Sequence, residues 1–165
     1  MGTFPSITPT YGMRNQGWGR LLMTLQKIAF GCDHAGFAFK EALKTTALEC
    51  GMKVMDFGTN TNHSVDYPDF AKAVAKALVS GEVEKGVLVC GTGIGMSMSA
   101  NRVEGVRAAL CTNSDMAALS RLHNNANILV LGARIIDLAT AQGCLKTFLV
   151  TQFEGGRHTA RVEKI

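Results

Sequence analysis

The chain lacks the features that mark several large classes of protein. Its 165 residues contain no apolar run near the roughly 20 residues that a bilayer-spanning helix needs. Its 5 cysteines are an odd number without a C-x-x-C pair, which argues against a disulfide framework or a structural zinc site. Such cysteine usage favours a reducing compartment, so we expect a cytoplasmic protein. The 47% hydrophobic and 18% charged content is typical of one globular domain.

The sequence also lacks the basic pattern of a nucleic-acid-binding protein. Its net charge is +4, but residues 1–27 supply +3 of it, through Arg14, Arg20 and Lys27 without an acidic residue. The remaining 14 basic and 13 acidic residues leave only +1 for the rest of the chain. No basic stripe with interleaved aromatic residues follows. We therefore expect no nucleic-acid partner and no membrane partner.

Residues 1–24 differ in composition from the rest of the chain. They hold 2 of the 3 prolines and show no apolar pattern of helix or strand length. We expect a disordered extension there, followed by a single domain at residues 25–165. Because the extension is basic and free of acid, a transit peptide is the alternative, although Ser6 is its only serine. Targeting to an organelle therefore stays open.

From residue 27 onward, short apolar runs alternate five times with stretches of helical periodicity. The predicted strands are residues 27–32, 54–57, 86–90, 106–110 and 128–131. The predicted helices end near residue 50, begin at 66–68, end near 102, follow the capping residues 112–115, and span about 138–150. Strands that are apolar on both faces are typical of parallel sheets covered by helices. The pattern thus predicts a doubly wound, three-layer α/β sandwich of Rossmann or flavodoxin type, with strand order 2-1-3-4-5.

A cysteine and a glycine-rich turn close the third predicted strand. Cys90 ends the strand, and Gly91-Thr92-Gly93-Ile94-Gly95 opens the following helix. Turn amides and a helix N-terminus carry partial positive charge, which favours a thiolate and can hold an anion. The dinucleotide-binding pattern would need glycine where Met96 stands, and the lysine of a phosphate-binding Walker loop is absent. A turn that only packs helix against strand is the alternative.

Asp33 and His34 directly follow the first predicted strand. Strands 1 and 3 are neighbours in the predicted order, so this loop and the loop after Cys90 should converge where ligands bind in such sheets. A carboxylate beside an imidazole can move protons or bind hydroxyl groups. A hydrogen-bonded turn residue is the plainer interpretation of the histidine.

The fourth predicted helix ends in a polar segment that contains His123, Asn124, Asn125 and Asn127. Histidine is favoured at a helix C-terminus by the dipole, so a purely structural role is reasonable for it. Three asparagines within five residues are harder to explain by packing. Their amides suit sugar hydroxyls, and the segment therefore indicates a binding site.

Three arginines indicate a phosphate site. Arg157 and Arg161 are four residues apart, one helical turn, so both guanidinium groups can bind one anion. Arg134 follows the fifth predicted strand at the ligand-binding edge. A solvated basic tail is the alternative, but the nearly neutral body of the chain favours a specific role.

These segments together resemble the type B ribose-5-phosphate isomerases, over residues 27–165. That family is related to galactose-6-phosphate isomerase subunits and allose-6-phosphate isomerases. The segments that carry the resemblance are Cys90-Gly-Thr-Gly-Ile-Gly-Met-Ser, Ser120-Arg-Leu-His123-Asn124-Asn-Ala-Asn127, Phe153-Glu-Gly-Gly-Arg157-His158 with Arg161, Asp33-His34-Ala-Gly36 and Asp66-Tyr-Pro68.

The resemblance implies interconversion of D-ribose 5-phosphate and D-ribulose 5-phosphate in the pentose phosphate pathway. The reaction passes through an enediolate and needs no metal or organic cofactor. Cys90 is implied as the base, because the loop glutamate of another branch has no counterpart between Cys90 and Asn101. The resemblance implies that the amides of residues 91–95 and the Thr92 hydroxyl stabilise the enediolate, and that His123 opens the sugar ring.

The resemblance also implies that Asp33, His34 and Asn124 bind the sugar. The phosphate would be held by three arginines, Arg134, Arg157 and Arg161. The implied site lies at a homodimer interface with residues from both subunits, so a dimer or a dimer of dimers is implied. Allose 6-phosphate or galactose 6-phosphate is the alternative substrate. A non-catalytic sugar-phosphate-binding module would keep the arginines without needing Cys90.

Overall fold

The computed structural model describes residues 26–165, so the extension expected at residues 1–24 lies outside the described residues. The strands are β1 (Lys27–Cys32), β2 (Lys53–Asp56), β3 (Lys85–Cys90), β4 (Ala108–Leu110) and β5 (Ile128–Gly132). The helices are α1 (Phe37–Glu49), α2 (Tyr67–Val79), α3 (Ile94–Ala100), α4 (Ser114–Asn124), α5 (Leu138–Val150) and α6 (Thr159–Val162), the last preceded by a 3-10 turn at Gly156–His158. Within these residues no helix is long and apolar enough to cross a membrane.

The five strands pair in parallel throughout one sheet, as the alternating pattern predicts. β3 shows why both faces need helices, since its side chains alternate between two apolar clusters. Val87 and Val89 pack with residues of α1, α4 and α5, whereas Leu88 and Cys90 pack with residues of α2 and α3. The predicted doubly wound α/β sandwich is therefore confirmed.

The predicted strand order was wrong in its last two positions, which are exchanged. The observed order is β2-β1-β3-β5-β4, so β5 and not β4 lies beside β3. Every residue of β5 is buried, whereas the three residues of β4 are only half-buried. A central strand is screened from water on both faces, so the longer and more apolar strand occupies that position. The short strand after Arg107 is left at the edge.

The position of β5 decides what lies beside the glycine turn. Cys90 pairs with Gly132, and the next two amides continue the contact. The Ala133 amide donates to the Cys90 carbonyl at 2.9 Å, and the Arg134 amide donates to the Gly91 carbonyl at 2.9 Å. In the order 2-1-3-4-5, strands 3 and 5 would be about 9.6 Å apart and these bonds could not form.

The strand order makes a prediction about stability. Leu129→Ala should lower the free energy of unfolding by about 2–5 kcal/mol, because its side chain is buried in the centre of the sheet. Leu110→Ala is the matched substitution on β4 and should cost less, because Leu110 is only half-buried at the edge. Urea unfolding at one fixed protein concentration measures both losses. A larger loss for Leu110 in protein dilute enough to be monomeric would contradict the edge position of β4.

Candidate active site

The sulfur of Cys90 accepts a hydrogen bond from the turn that follows it. The Gly93 amide donates to Sγ at 3.1 Å, and the cysteine is only 5% exposed. Gly93 has a φ of +79° and a Cβ there would overlap Leu110, so this turn requires glycine. An amide directed at sulfur stabilises negative charge on it. The turn therefore supplies the buried Cys90 sulfur with a hydrogen-bond donor.

The surroundings of the other buried cysteines favour the neutral thiol. Burial raises the pKa of Cys32 and that of Cys111 to about 11, and burial also raises the pKa of Cys144. Cys32 and Cys111 donate through sulfur to backbone carbonyls, of Thr59 and Ala109, which requires the protonated thiol. These sulfurs remain neutral at pH 7 and are unsuited to remove a proton.

A cleft of about 420 Å³ lies at the carboxyl edge of the sheet beside Cys90. As the sequence predicts, the loops that follow β1 and β3 converge there, and Arg134 of the segment after β5 joins them. The lining residues are Asp33, Tyr67, Cys90, Gly91, Thr92, Ile94, Gly95, Met98 and Arg134. We call these residues, together with His34 and Gly93, the carboxyl-edge group.

Asp33 and His34 are held by the loops that surround them. Oδ1 of Asp33 accepts from the amides of Ala35 and Gly36, each at 3.0 Å, which fixes the start of α1. Nδ1 of His34 accepts from the Val65 amide at 3.3 Å, so a neutral His34 carries its proton on Nε2. The bond to Nδ1 agrees with the plainer interpretation of His34 as a hydrogen-bonded turn residue. His34 does not line the cleft itself.

Tyr67 and Met98 also line the cleft, although the sequence predicted neither as a site residue and Tyr67 entered only through the segment Asp66-Tyr-Pro68 that carries the resemblance. A Cβ at Gly95 would lie 2.5 Å from Cζ of Tyr67, so the missing side chain provides the space for the tyrosine ring. Tyr67 begins α2 after the loop from β2, and β2 lies beside β1. That neighbour relation is the signal that would have placed Tyr67 at this edge.

The remaining predicted site residues lie at the opposite edge of the sheet. His123 and Asn124 end α4 shortly before β5 begins. Ile128 at the start of β5 pairs with Gly86, whereas Gly132 at its end pairs with Cys90. The four residue steps between them span about 13 Å. Cys90 and His123 of the same chain therefore do not lie together.

The terminal segment packs against this second group. The Glu154 amide donates to the Leu122 carbonyl at 3.1 Å, which fixes the segment to the end of α4. The ring of His158 stacks on that of His123 with centroids 4.3 Å apart and an angle of 13° between the planes. Both histidines, with Asn124, Glu154, Arg157 and Arg161, form what we call the amino-edge group.

His158 is the buried member of the amino-edge group, at 4% exposure. Its Nε2 accepts from Nε of Arg157 at 3.4 Å and lies 3.9 Å from Oε2 of Glu154. Burial lowers the pKa of His158, and the neighbouring His123, Arg157 and Arg161 lower it further, against an opposing effect of Glu154. The imidazole of His158 is therefore kept neutral at pH 7.

Comparison with known proteins matches both the sequence and the fold. The family model described as Ribose/Galactose Isomerase matches residues 28–165. The chain belongs to this family. Ribose-5-phosphate isomerase B of Escherichia coli K12 is 45% identical over 141 residues, which cover 86% of this chain and 95% of that protein.

Solved structures from distant organisms share the fold of this family member. Ribose-5-phosphate isomerase B of Clostridium thermocellum is 50% identical with a TM-score of 0.83, covering 84% of this chain and 94% of that one. The type B ribose 5-phosphate isomerase of Trypanosoma brucei is 42% identical with a TM-score of 0.83, covering 85% and 96%. The architecture of this isomerase family thus extends over almost the whole of the described residues.

Two of the three asparagines near the end of α4 have structural roles in this family member. Asn125 has a left-handed φ of 46° and its Oδ1 accepts from Nη1 of Arg121 at 2.9 Å. Asn127 accepts from the Arg107 amide at 2.7 Å and donates to the Gly105 carbonyl at 2.8 Å. The expectation that all three suit sugar hydroxyls was therefore too broad, and Asn124 is the exposed one of the three.

The lowered pKa of His158 predicts that stability falls in acid. Below the ordinary value of 6.5, the unfolded chain binds a proton at His158 that the folded chain does not. The free energy of unfolding should therefore decrease as pH falls from 6.5 toward the lowered folded pKa. His158→Phe keeps a ring against His123 and should flatten this dependence, whereas His63→Phe, at an exposed histidine, is the matched control. Urea unfolding across this pH range measures it, and an unchanged slope in His158→Phe would contradict the assignment.

Proposed function

We propose that the chain is an aldose–ketose isomerase that interconverts D-ribose 5-phosphate and D-ribulose 5-phosphate, with Cys90 as the base. The observation that carries the proposal is the Gly93 amide directed at Sγ of Cys90, at 3.1 Å, in the wall of the cleft. Membership of the isomerase family and relatives named ribose-5-phosphate isomerase B support the reaction and the substrate.

The chemistry requires a base and a way to stabilise an oxyanion. The Cys90 thiolate takes the proton from C2 of the open-chain aldose, and the resulting thiol returns it to C1 of the enediolate while the hydroxyl proton on O2 passes to O1, which gives the ketose. Because the Gly93 amide already donates to the sulfur, other hydrogen-bond donors stabilise the enediolate. Oγ1 of Thr92 accepts from the Ile94 amide at 3.3 Å, so its own proton is directed elsewhere and can bind the enediolate oxygen. The first-turn amides of α3 add to this stabilisation.

A complete site in this proposal needs two copies of the chain. Arg134 lies with Cys90 in the carboxyl-edge group, whereas Arg157 and Arg161 lie with His123 in the amino-edge group. Groups separated by the length of a strand cannot bind one small sugar phosphate within one protomer. We therefore propose a homodimer in which the amino-edge group of one copy completes the cleft of the other. His123 then opens the ring, Asn124 binds the sugar, and the three arginines bind the phosphate.

The surface around β4 is suited to such pairing. β4 is an edge strand, and a groove of about 270 Å³ runs beside it, lined in part by Leu110, Met116, Leu119 and Asn124. Met116 is 42% exposed and Leu119 47% exposed, which is apolar surface of the kind that subunit interfaces bury. Asn124 connects this groove to the amino-edge group. Assembly into a dimer of dimers and a cytoplasmic location stay predictions.

Replacing the base tests the central residue of the mechanism. Cys90→Ala should lower kcat by about 10³-fold or more, because no other side chain replaces its sulfur in the cleft. The dissociation constant for ribose 5-phosphate should stay within a few-fold of wild type. Cys50→Ala, at the exposed cysteine, is the control and should retain full turnover. Near-wild-type turnover of Cys90→Ala in a coupled ketose assay would remove Cys90 from the mechanism.

The family description includes galactose isomerases, so the second candidate is a hexose 6-phosphate substrate. We expect the purified chain, assayed with chelator, to turn over ribose 5-phosphate with a kcat/KM at least about ten-fold above that for allose 6-phosphate or galactose 6-phosphate. A higher value for either hexose would transfer the assignment to that sugar. Absence of turnover with all three would favour a non-catalytic sugar-phosphate-binding module.

A further inference from the structure

A second chemically distinctive group of side chains lies within the amino-edge group, at the end of the sheet opposite the cleft of the same chain. His123, Glu154 and His158 each offer one ligand atom, and these three atoms all lie within 4.8 Å of one another. Two imidazoles and one carboxylate form a ligand set that binds Zn²⁺ with a fourth position open. We propose that these three side chains bind a divalent transition-metal ion, with zinc as the fitting ion.

The distances require only a small contraction. In a tetrahedral zinc site the ligand atoms lie about 3.4 Å apart, as bonds near 2.1 Å demand. Oε2 of Glu154 lies 3.7 Å from Nε2 of His123 and 3.9 Å from Nε2 of His158. Each of these two pairs therefore has to approach by about half an ångström or less, and the two histidine nitrogens, which lie within 4.8 Å of each other, by at most about 1.4 Å. The group is already close to ligand spacing.

The angle between the rings sets which ligands must move. The two imidazole planes are 13° from parallel, so one ring must turn before both nitrogens can point at one ion. The side chain of His158 is 6% exposed and is held by its surroundings, whereas those of His123 and Glu154 are 37% and 58% exposed. His158 is thus the fixed ligand, and the other two can rotate onto the ion.

The neighbouring Arg157 limits the affinity for the ion, and the nitrogen ligands determine which ion is preferred. Nε of Arg157 donates to Nε2 of His158 at 3.4 Å, a long bond that an ion must displace. The charge of Arg157 also opposes a cation, so the site should bind more weakly than a buried structural zinc site. Nitrogen ligands favour Zn²⁺ and Co²⁺ over Mg²⁺, which prefers oxygen ligands and keeps its waters.

Metal binding has a consequence for the reaction. In the proposed function His123 moves a proton during ring opening, and an ion on its nitrogen would prevent this. Inhibition by zinc therefore rests on the proposed function, whereas binding of the ion does not. Binding is measured without substrate, so failure of one proposal can be told apart from failure of the other.

The test is a titration of the full chain, stripped of metal and kept in a buffer without phosphate. Zn²⁺ binding is followed by calorimetry, and Co²⁺ binding by its visible absorption. We expect one ion per chain, no binding of Mg²⁺, and no sulfur-to-cobalt charge-transfer band. Glu154→Gln and His123→Asn should each weaken zinc binding by about ten-fold or more, since the loss of even an outer-shell partner costs that much.

Two controls separate this site from other places where zinc could bind. Glu163→Gln makes the same change of charge at an exposed glutamate of the terminal segment and should leave the affinity unchanged. Cys90→Ala should bind zinc as the wild type does. The proposal is overturned if Co²⁺ gives a thiolate charge-transfer band, if Glu154→Gln binds as wild type does, or if Cys90→Ala loses the ion.

Discussion

The pairing of β3 with β5 is the constraint on which the rest of the structure depends. At its carboxyl end, Cys90 faces Gly132, and the following amides bring Arg134 against the glycine turn. At its amino end, β5 begins just after α4, which places His123 at the far edge of the same sheet. One strand pair thus assembles the cleft and separates it from the amino-edge group. The proposed dimer follows from that separation.

The glycine turn joins backbone geometry to chemistry. Its left-handed residue, Gly93, turns the amide toward the sulfur of Cys90 instead of toward a ligand. The sequence indicated that the amides of this turn could hold an anion. The Gly93 amide is not available for that, because it donates to the sulfur. In the proposed function, part of the positive field of the turn stabilises the Cys90 thiolate, and Thr92 with the start of α3 is left to bind the reacting end of the sugar. Phosphate recognition belongs to the arginines in this account.

Local sequence patterns predicted most of the helices and strands and the convergence of two loops, because a short stretch of sequence is enough to indicate a buried strand or a helix cap. Asn113 caps α4 by accepting from the Met116 amide, as its position before the helix indicates. The exchange of β4 and β5 could not be predicted from local pattern. It depends on which of the two strands is the longer and more apolar one and so takes the buried central position. Tyr67 and the stacking of His158 on His123 depend on contacts between segments far apart in sequence.

Complementation between two inactive variants tests the central claim most directly. Cys90→Ala and His123→Ala damage opposite edges of one protomer, so a mixed dimer holds one doubly damaged site and one intact site. Dissociating the two variants together and reassembling them should restore about a quarter of wild-type activity toward the cyclic aldose, since half of the dimers are mixed and each has one working site. Activity no greater than that of the separate variants, in samples where mixed dimers are shown to form, would contradict a site shared between copies.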